Sequence, residues 1–126
     1  MNTLVDSSVW IEFFKGNQKY VFMQELIDMN AICTNDLVLT ELLPSISLKK
    51  ERELAELLCT IKRYSLDIDW QEIQNIQFLN LKRGNNGIGI PDIIIAQNCM
   101  QNGLKLLTHD RHFAAMAKYI PLEMYT

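Results

Sequence analysis

Short apolar runs alternate along the chain with longer stretches whose apolar positions recur every three or four residues. Thr3 to Val5 reads as a brief strand of β-formers that ends at Asp6. Ser7 or Ser8 then caps a helix carrying Val9, Trp10, Phe13 and Phe14, and Gly16 and Asn17 stop it. A helix with Met23, Leu26 and Ile27 on one face leads into a second strand at Ala31 to Thr34. From Asn35 or Asp36, the residues Leu39, Leu42, Leu43 and Ile46 form one buried helical stripe. Pro44 falls inside that stripe, so a kink or an early end is expected there. A further helix spans about Lys49 to Arg63, a third strand Tyr64 to Ile68, and another helix about Asp69 to Arg83. Gly84 to Gly89 is a flexible loop, after which Pro91 opens a helix that runs to Asn102 and Gly103. Leu104 to Thr108 is a strand, Asp110 to Lys118 a last helix, and Tyr119 to Glu123 a final strand.

Strand and helix in alternation predict an α/β fold with three layers, helices covering both faces of a mainly parallel sheet of four to five strands. The 126 residues fit one domain, 1–126, without linker or repeat. Twelve basic residues against fifteen acidic give a net charge of −3, which excludes a domain that holds nucleic acid chiefly by a positive field. Cys33, Cys59 and Cys99 are far apart and sit in apolar runs, so they read as buried free thiols, neither a disulfide framework nor a zinc site. The longest uncharged stretch suited to burial, Ile93 to Met100, is too short to span a membrane, and the start carries no targeting signal. A cytoplasmic protein is expected.

Four acids hold comparable places in this pattern. Asp6 ends the first strand, Glu41 lies in the second turn of the helix after strand two, Asp92 follows Pro91, and Asp110 follows the fourth strand. In a parallel sheet with right-handed crossovers, all four positions come to the carboxyl edge, where α/β folds bind ligands. Carboxylates gathered there repel one another unless a cation neutralises them. Oxygen ligands suit Mg²⁺ or Mn²⁺, one or two ions, and such a site points to phosphoryl chemistry. Without these four acids the rest of the chain carries +1, so a polyanionic substrate is compatible with the overall charge. Each acid also has a plain structural role available, as a turn residue, a helix cap or a partner of the helix dipole.

LVDSSVWIEFF (4–14), LVLTELL (37–43), IPDIIIAQ (90–97) and LLTHDRHF (106–113) resemble the four acidic motifs of PIN-domain ribonucleases, most nearly the VapC-type toxins of bacterial toxin–antitoxin pairs. The resemblance implies a magnesium- or manganese-dependent endoribonuclease acting on RNA such as tRNA or rRNA. It also implies a small antitoxin protein that occupies the acidic groove, and a homodimer. Matched position by position, Asp6, Glu41, Asp92 and Asp110 are its catalytic acids and metal ligands, with Ser7, Ser8 and Thr108 supporting them. Many relatives carry a further acid where this chain has His112. Lys82, Arg83, Arg111 and His112 are the candidate RNA contacts, and the helices between Phe22 and Leu58 the candidate dimer surface. Two other classes compete: a catalytically silent PIN-like module that binds RNA or protein, and a receiver-type signalling domain. The receiver lacks its adjacent acids after strand one, and Lys105 begins its strand instead of ending it.

Overall fold

The computed structural model describes residues 2–126. Five parallel strands make one sheet in the order β3-β2-β1-β4-β5: β1 (Thr3–Val5), β2 (Ile32–Asn35), β3 (Lys62–Tyr64), β4 (Lys105–Leu107) and β5 (Glu123–Met124). Seven helices surround it, α1 (Ser7–Phe14), α2 (Met23–Asp28), α3 (Asp36–Leu48), α4 (Arg52–Thr60), α5 (Trp70–Lys82), α6 (Ile90–Asn102) and α7 (Arg111–Met116), giving the expected three-layer α/β architecture. The central strand β1 is fully buried, as a strand covered on both faces must be. Its neighbours contribute Cys33, Leu106 and Leu107 to a core completed by Trp10, Ile93, Ile95 and Phe113.

Several boundaries differ from the sequence pattern. Helix α3 continues through Pro44 to Leu48 without ending early. Pro44 is exposed, so the carbonyl it leaves without an intrahelical partner faces water, which lowers the cost of the missing bond. The expected Lys49–Arg63 helix is shorter, Arg52–Thr60, because Lys62 and Arg63 belong to β3. That strand lies at the sheet edge, where exposed charged side chains are tolerated and guard against further pairing. The expected strand over 64–68 therefore starts two residues earlier and is shorter, Lys62–Tyr64. The final strand lies later than 119–123, at Glu123–Met124, because Tyr119 and Ile120 complete the turn that ends α7. Cys33 and Cys99 are buried, and burial pushes the Cys33 thiol up to about 12. Cys59, on α4, is exposed, contrary to the reading of all three as buried.

Candidate functional site

The site begins with strand register. Val5 of β1 pairs with Leu107 of β4, so the residues that follow, Asp6 and Thr108, leave the sheet side by side. The Asp6 backbone N–H donates to the Leu107 carbonyl at 2.9 Å and fixes this exit. Asp6 is only 5% exposed, and a buried carboxylate needs donors. Ser8 Oγ donates to its Oδ2 at 2.8 Å and Thr108 Oγ1 donates to the same oxygen at 2.9 Å. Each hydroxyl also accepts a backbone N–H, from His109 at Ser8 and from Asp110 at Thr108, both at 3.0 Å. Both hydroxyl protons are thereby directed to Asp6.

Asp110 caps α7, its Oδ1 accepting the His112 N–H at 2.9 Å. This places the His112 ring among the acids, with Nδ1 3.4 Å from Asp110 Oδ1 and 3.6 Å from Asp92 Oδ2. Asp92 arrives in the first turn of α6, where Pro91 starts the helix without needing an N–H partner. The glycine-rich loop before it passes His112 closely: a Cβ on Gly87 would stand 3.5 Å from His112 Nε2. Glu41 comes from α3, which is aligned by a buried amide pair. Asn35 caps α3 through the Val38 N–H at 2.9 Å and donates to Asn98 Oδ1 of α6 at 3.0 Å. Asn98 in turn donates to the Ser65 carbonyl at 3.0 Å.

Electrostatics show that the four acids share one field. Desolvation raises the pKa of Glu41, and the charges of Asp6 and Asp92 raise it further, with the Ser7 side chain opposing by hydrogen bonding. Asp92 is raised first by burial, then by Asp110 and Asp6, with His112 opposing. Among the described residues no lysine or arginine forms an ion pair with any of the four acids.

The donor set fits a divalent ion. Oxygens of Asp92 and Asp110 and a ring nitrogen of His112 lie within 4.8 Å of one another, with further negative charge close by on Asp6 and Glu41. Carboxylates left mutually repelling, with no lysine or arginine paired to them among the described residues, are what a hard cation would relieve.

With that geometry in place, the sequence matches the PIN domain family over residues 3–119. The chain belongs to the PIN domain family. No curated protein matches it. Among solved structures, this PIN domain shares its fold with a chain of VapBC2 from Rickettsia felis bound to a DNA fragment from their promoter, at a TM-score of 0.74 and 15% identity, covering 99% of this chain and 98% of that one. DNA-bound VapBC from Salmonella typhimurium gives 0.71 and 21%, covering 99% and 97%. A toxin–antitoxin complex from Klebsiella pneumoniae gives 0.66 and 18%, covering 98% and 100%.

The other residues singled out from the sequence have varied settings. Arg83 is exposed, with its guanidinium over the Tyr119 ring at 5.1 Å, and Lys82 and Arg111 are exposed at helix ends. Of the four candidate RNA contacts, His112 is the one placed among the acids. Trp10 is completely buried core and Trp70 is exposed. Three residues escaped the sequence reading: His109, Tyr20 and Asn98. His109 stands inside the motif 106–113 with no role read for it, and Asn98 belongs to the polar pair Gln97–Asn98 inside an otherwise largely apolar helix.

Proposed function

We propose that this PIN domain is a VapC-type toxin of a toxin–antitoxin pair and a divalent-metal-dependent endoribonuclease. The observation that carries the reading is the meeting of Asp6, Glu41, Asp92 and Asp110, from four separate segments, in one field where, among the described residues, His112 is beside the acids and no lysine or arginine pairs with them. Asp92, Asp110 and His112 would hold Mg²⁺ or Mn²⁺, with Asp6 and Glu41 completing the shell directly or through water. When bound, the ion supplies positive charge for the phosphate and activates water for hydrolysis of the phosphodiester bond. Asp6, clamped by Ser8 and Thr108, presents its remaining oxygen in a fixed direction. Burial and the charges of Asp6 and Asp92 raise the pKa of Glu41, and a cation held in the site would oppose that rise and favour the carboxylate. His112, beside two carboxylates, shifts the preferred ion toward Mn²⁺, since imidazole is a softer ligand than oxygen.

The partners follow from the same reading. A cleft of about 240 Å³ between α1 and α3 adjoins Glu41, floored by Ile11, Phe14, Leu42 and Ile46 and edged by Lys15 and Lys49. It suits an apolar segment of an antitoxin. Trp70, Phe78, Leu81 and Ile90 form an exposed apolar face along α5, flanked by the uncharged Gln74 and Gln77. A face without charge does not repel its own copy, and α5 begins beside Asp69 and ends at Lys82 and Arg83. Antiparallel pairing of two α5 helices would bring each acidic end to the other's basic end, so we assign the homodimer to this face in place of the helices between Phe22 and Leu58 expected from the sequence.

The test is cleavage of a pooled tRNA and rRNA substrate by the purified toxin. Cutting with Mg²⁺ or Mn²⁺ and none in EDTA supports the reading. Binding without cutting in either metal supports the silent module instead. Sedimentation of Leu81→Glu as a monomer, where the parent chain is a dimer, would support the α5 interface.

A further inference from the structure

Tyr20 lies outside the four acidic motifs, six residues past the end of the first and far in sequence from the last. It closes a short 3-10 turn, Gln18–Tyr20, that is capped by the Asn17 side chain accepting the Lys19 N–H at 3.0 Å. Its ring is 4% exposed, packed against Phe22, and Phe22 stacks in turn on Tyr125 with ring planes 3° apart. A buried tyrosine hydroxyl needs a partner, and this one finds His109 Nδ1 at 2.7 Å, the two rings meeting edge to face.

His109 sits between Thr108 and Asp110. Thr108 is tied to Asp6, the His109 backbone is tied to Ser8, and Asp110 is tied to Thr108 and His112. These side-chain hydrogen bonds of the loop run to residues that are themselves acids or their supports. The exception is Tyr20, which anchors the segment to the aromatic wall of the body. A loop of three residues held only by its own site would shift whenever the site's charges repel. The Tyr20 anchor opposes that shift from outside.

We infer that Tyr20 is a positioning residue: acting through His109, it holds the loop after β4 so that Asp110 and Thr108 stay in register with Asp6 and Asp92. The inference rests on the nuclease reading for its kinetic consequence, though not for its effect on ion binding.

Tyr20→Phe removes the hydroxyl and keeps the packed ring, so the variant should fold. The expected result is a drop in kcat of roughly tenfold with KM for RNA changed little, in the range seen when a group behind a metal ligand is removed. Mn²⁺ affinity, measured by electron paramagnetic resonance without RNA, should fall several-fold. His109→Ala should match Tyr20→Phe, and the double variant should be no worse than either alone, because both cut one tether. His109→Asn, whose side chain can still meet the tyrosine hydroxyl, should recover most of the loss. Unchanged kcat and Mn²⁺ affinity in Tyr20→Phe would overturn the inference, as would additive losses or a loss confined to KM. If the parent chain cuts no RNA, the nuclease reading fails, and the Mn²⁺ measurement alone decides the role of Tyr20.

Discussion

The two halves of the acidic site are built on opposite principles. On the β1–β4 side, Asp6 is buried and held, with two hydroxyls donating to one of its oxygens and the flanking backbone bonded across the strand pair. On the α3–α6 side, Glu41 and Asp92 are partly desolvated and face other carboxylates, so both are pushed toward protonation. Asp6 is held by hydrogen bonds, whereas Glu41 and Asp92 are held against the repulsion of their neighbours. On the proposed metal-dependent reading, the first, rigid wall would fix where an ion sits and the second, repelling wall would make the ion necessary.

The largest test of the division is activity. Asp6→Asn and Asp92→Asn should each lower RNA cleavage by more than about 100-fold, since loss of a ligand costs at least as much as loss of its support. Their ion binding should separate them. Mn²⁺ affinity should fall in both, but added Mn²⁺ should partly restore Asp92→Asn, where Asp110 and His112 remain within ligand distance. If cleavage persists undiminished in either variant, that side of the site is wrongly assigned.

Thr108→Val probes the rigid wall alone. It keeps the shape, removes one donor from buried Asp6 and leaves the Asp110 N–H without its acceptor. A loss of about 1–3 kcal/mol in folding stability is expected for stranding a buried charged acceptor. Cleavage should fall by about 10- to 100-fold. Urea unfolding and initial rates measure the two effects. A variant as stable and as active as the parent would mean that Asp6 is not held by this hydroxyl.

How much of this was legible in the sequence follows the same division. The rigid wall begins as local grammar, a strand of β-formers with an acid at its end, so Asp6 could be named from the pattern once the parallel sheet was inferred, whereas Ser8 and Thr108 were marked as supports by the resemblance to PIN-domain ribonucleases. Asp92 was marked by Pro91 at the helix start, and α3 by the regular apolar stripe around Glu41. The contacts that hold the pieces in place were not legible. Asn35–Asn98 joins residues 63 apart and Tyr20–His109 residues 89 apart, and no local periodicity encodes a pairing across such a distance. The early end offered at Pro44 failed for a related reason, because whether a helix survives a proline depends on whether the freed carbonyl reaches water, which only the folded surface decides.

The smallest effect concerns the repelling wall without its ion. In EDTA, the folded protein holds protons on Asp92 and Glu41 more tightly than the unfolded chain does. Stability from these groups is therefore greatest below the ordinary carboxylate range. It declines as pH rises through their raised folded values, and above those values the penalty stays constant. Asp92→Asn removes its share of that penalty. The variant should melt close to the parent in acid and above it near neutral pH, by on the order of a few degrees. Mg²⁺ or Mn²⁺ should reverse the ranking, because the cation stabilises the parent through the carboxylate that the variant lacks. Melting curves in EDTA at acid and neutral pH, repeated with Mn²⁺, measure both parts. A variant that is less stable than the parent in EDTA at neutral pH would mean that Asp92 is held by favourable contacts and not strained by its neighbours, and the contrast between the two walls would fail.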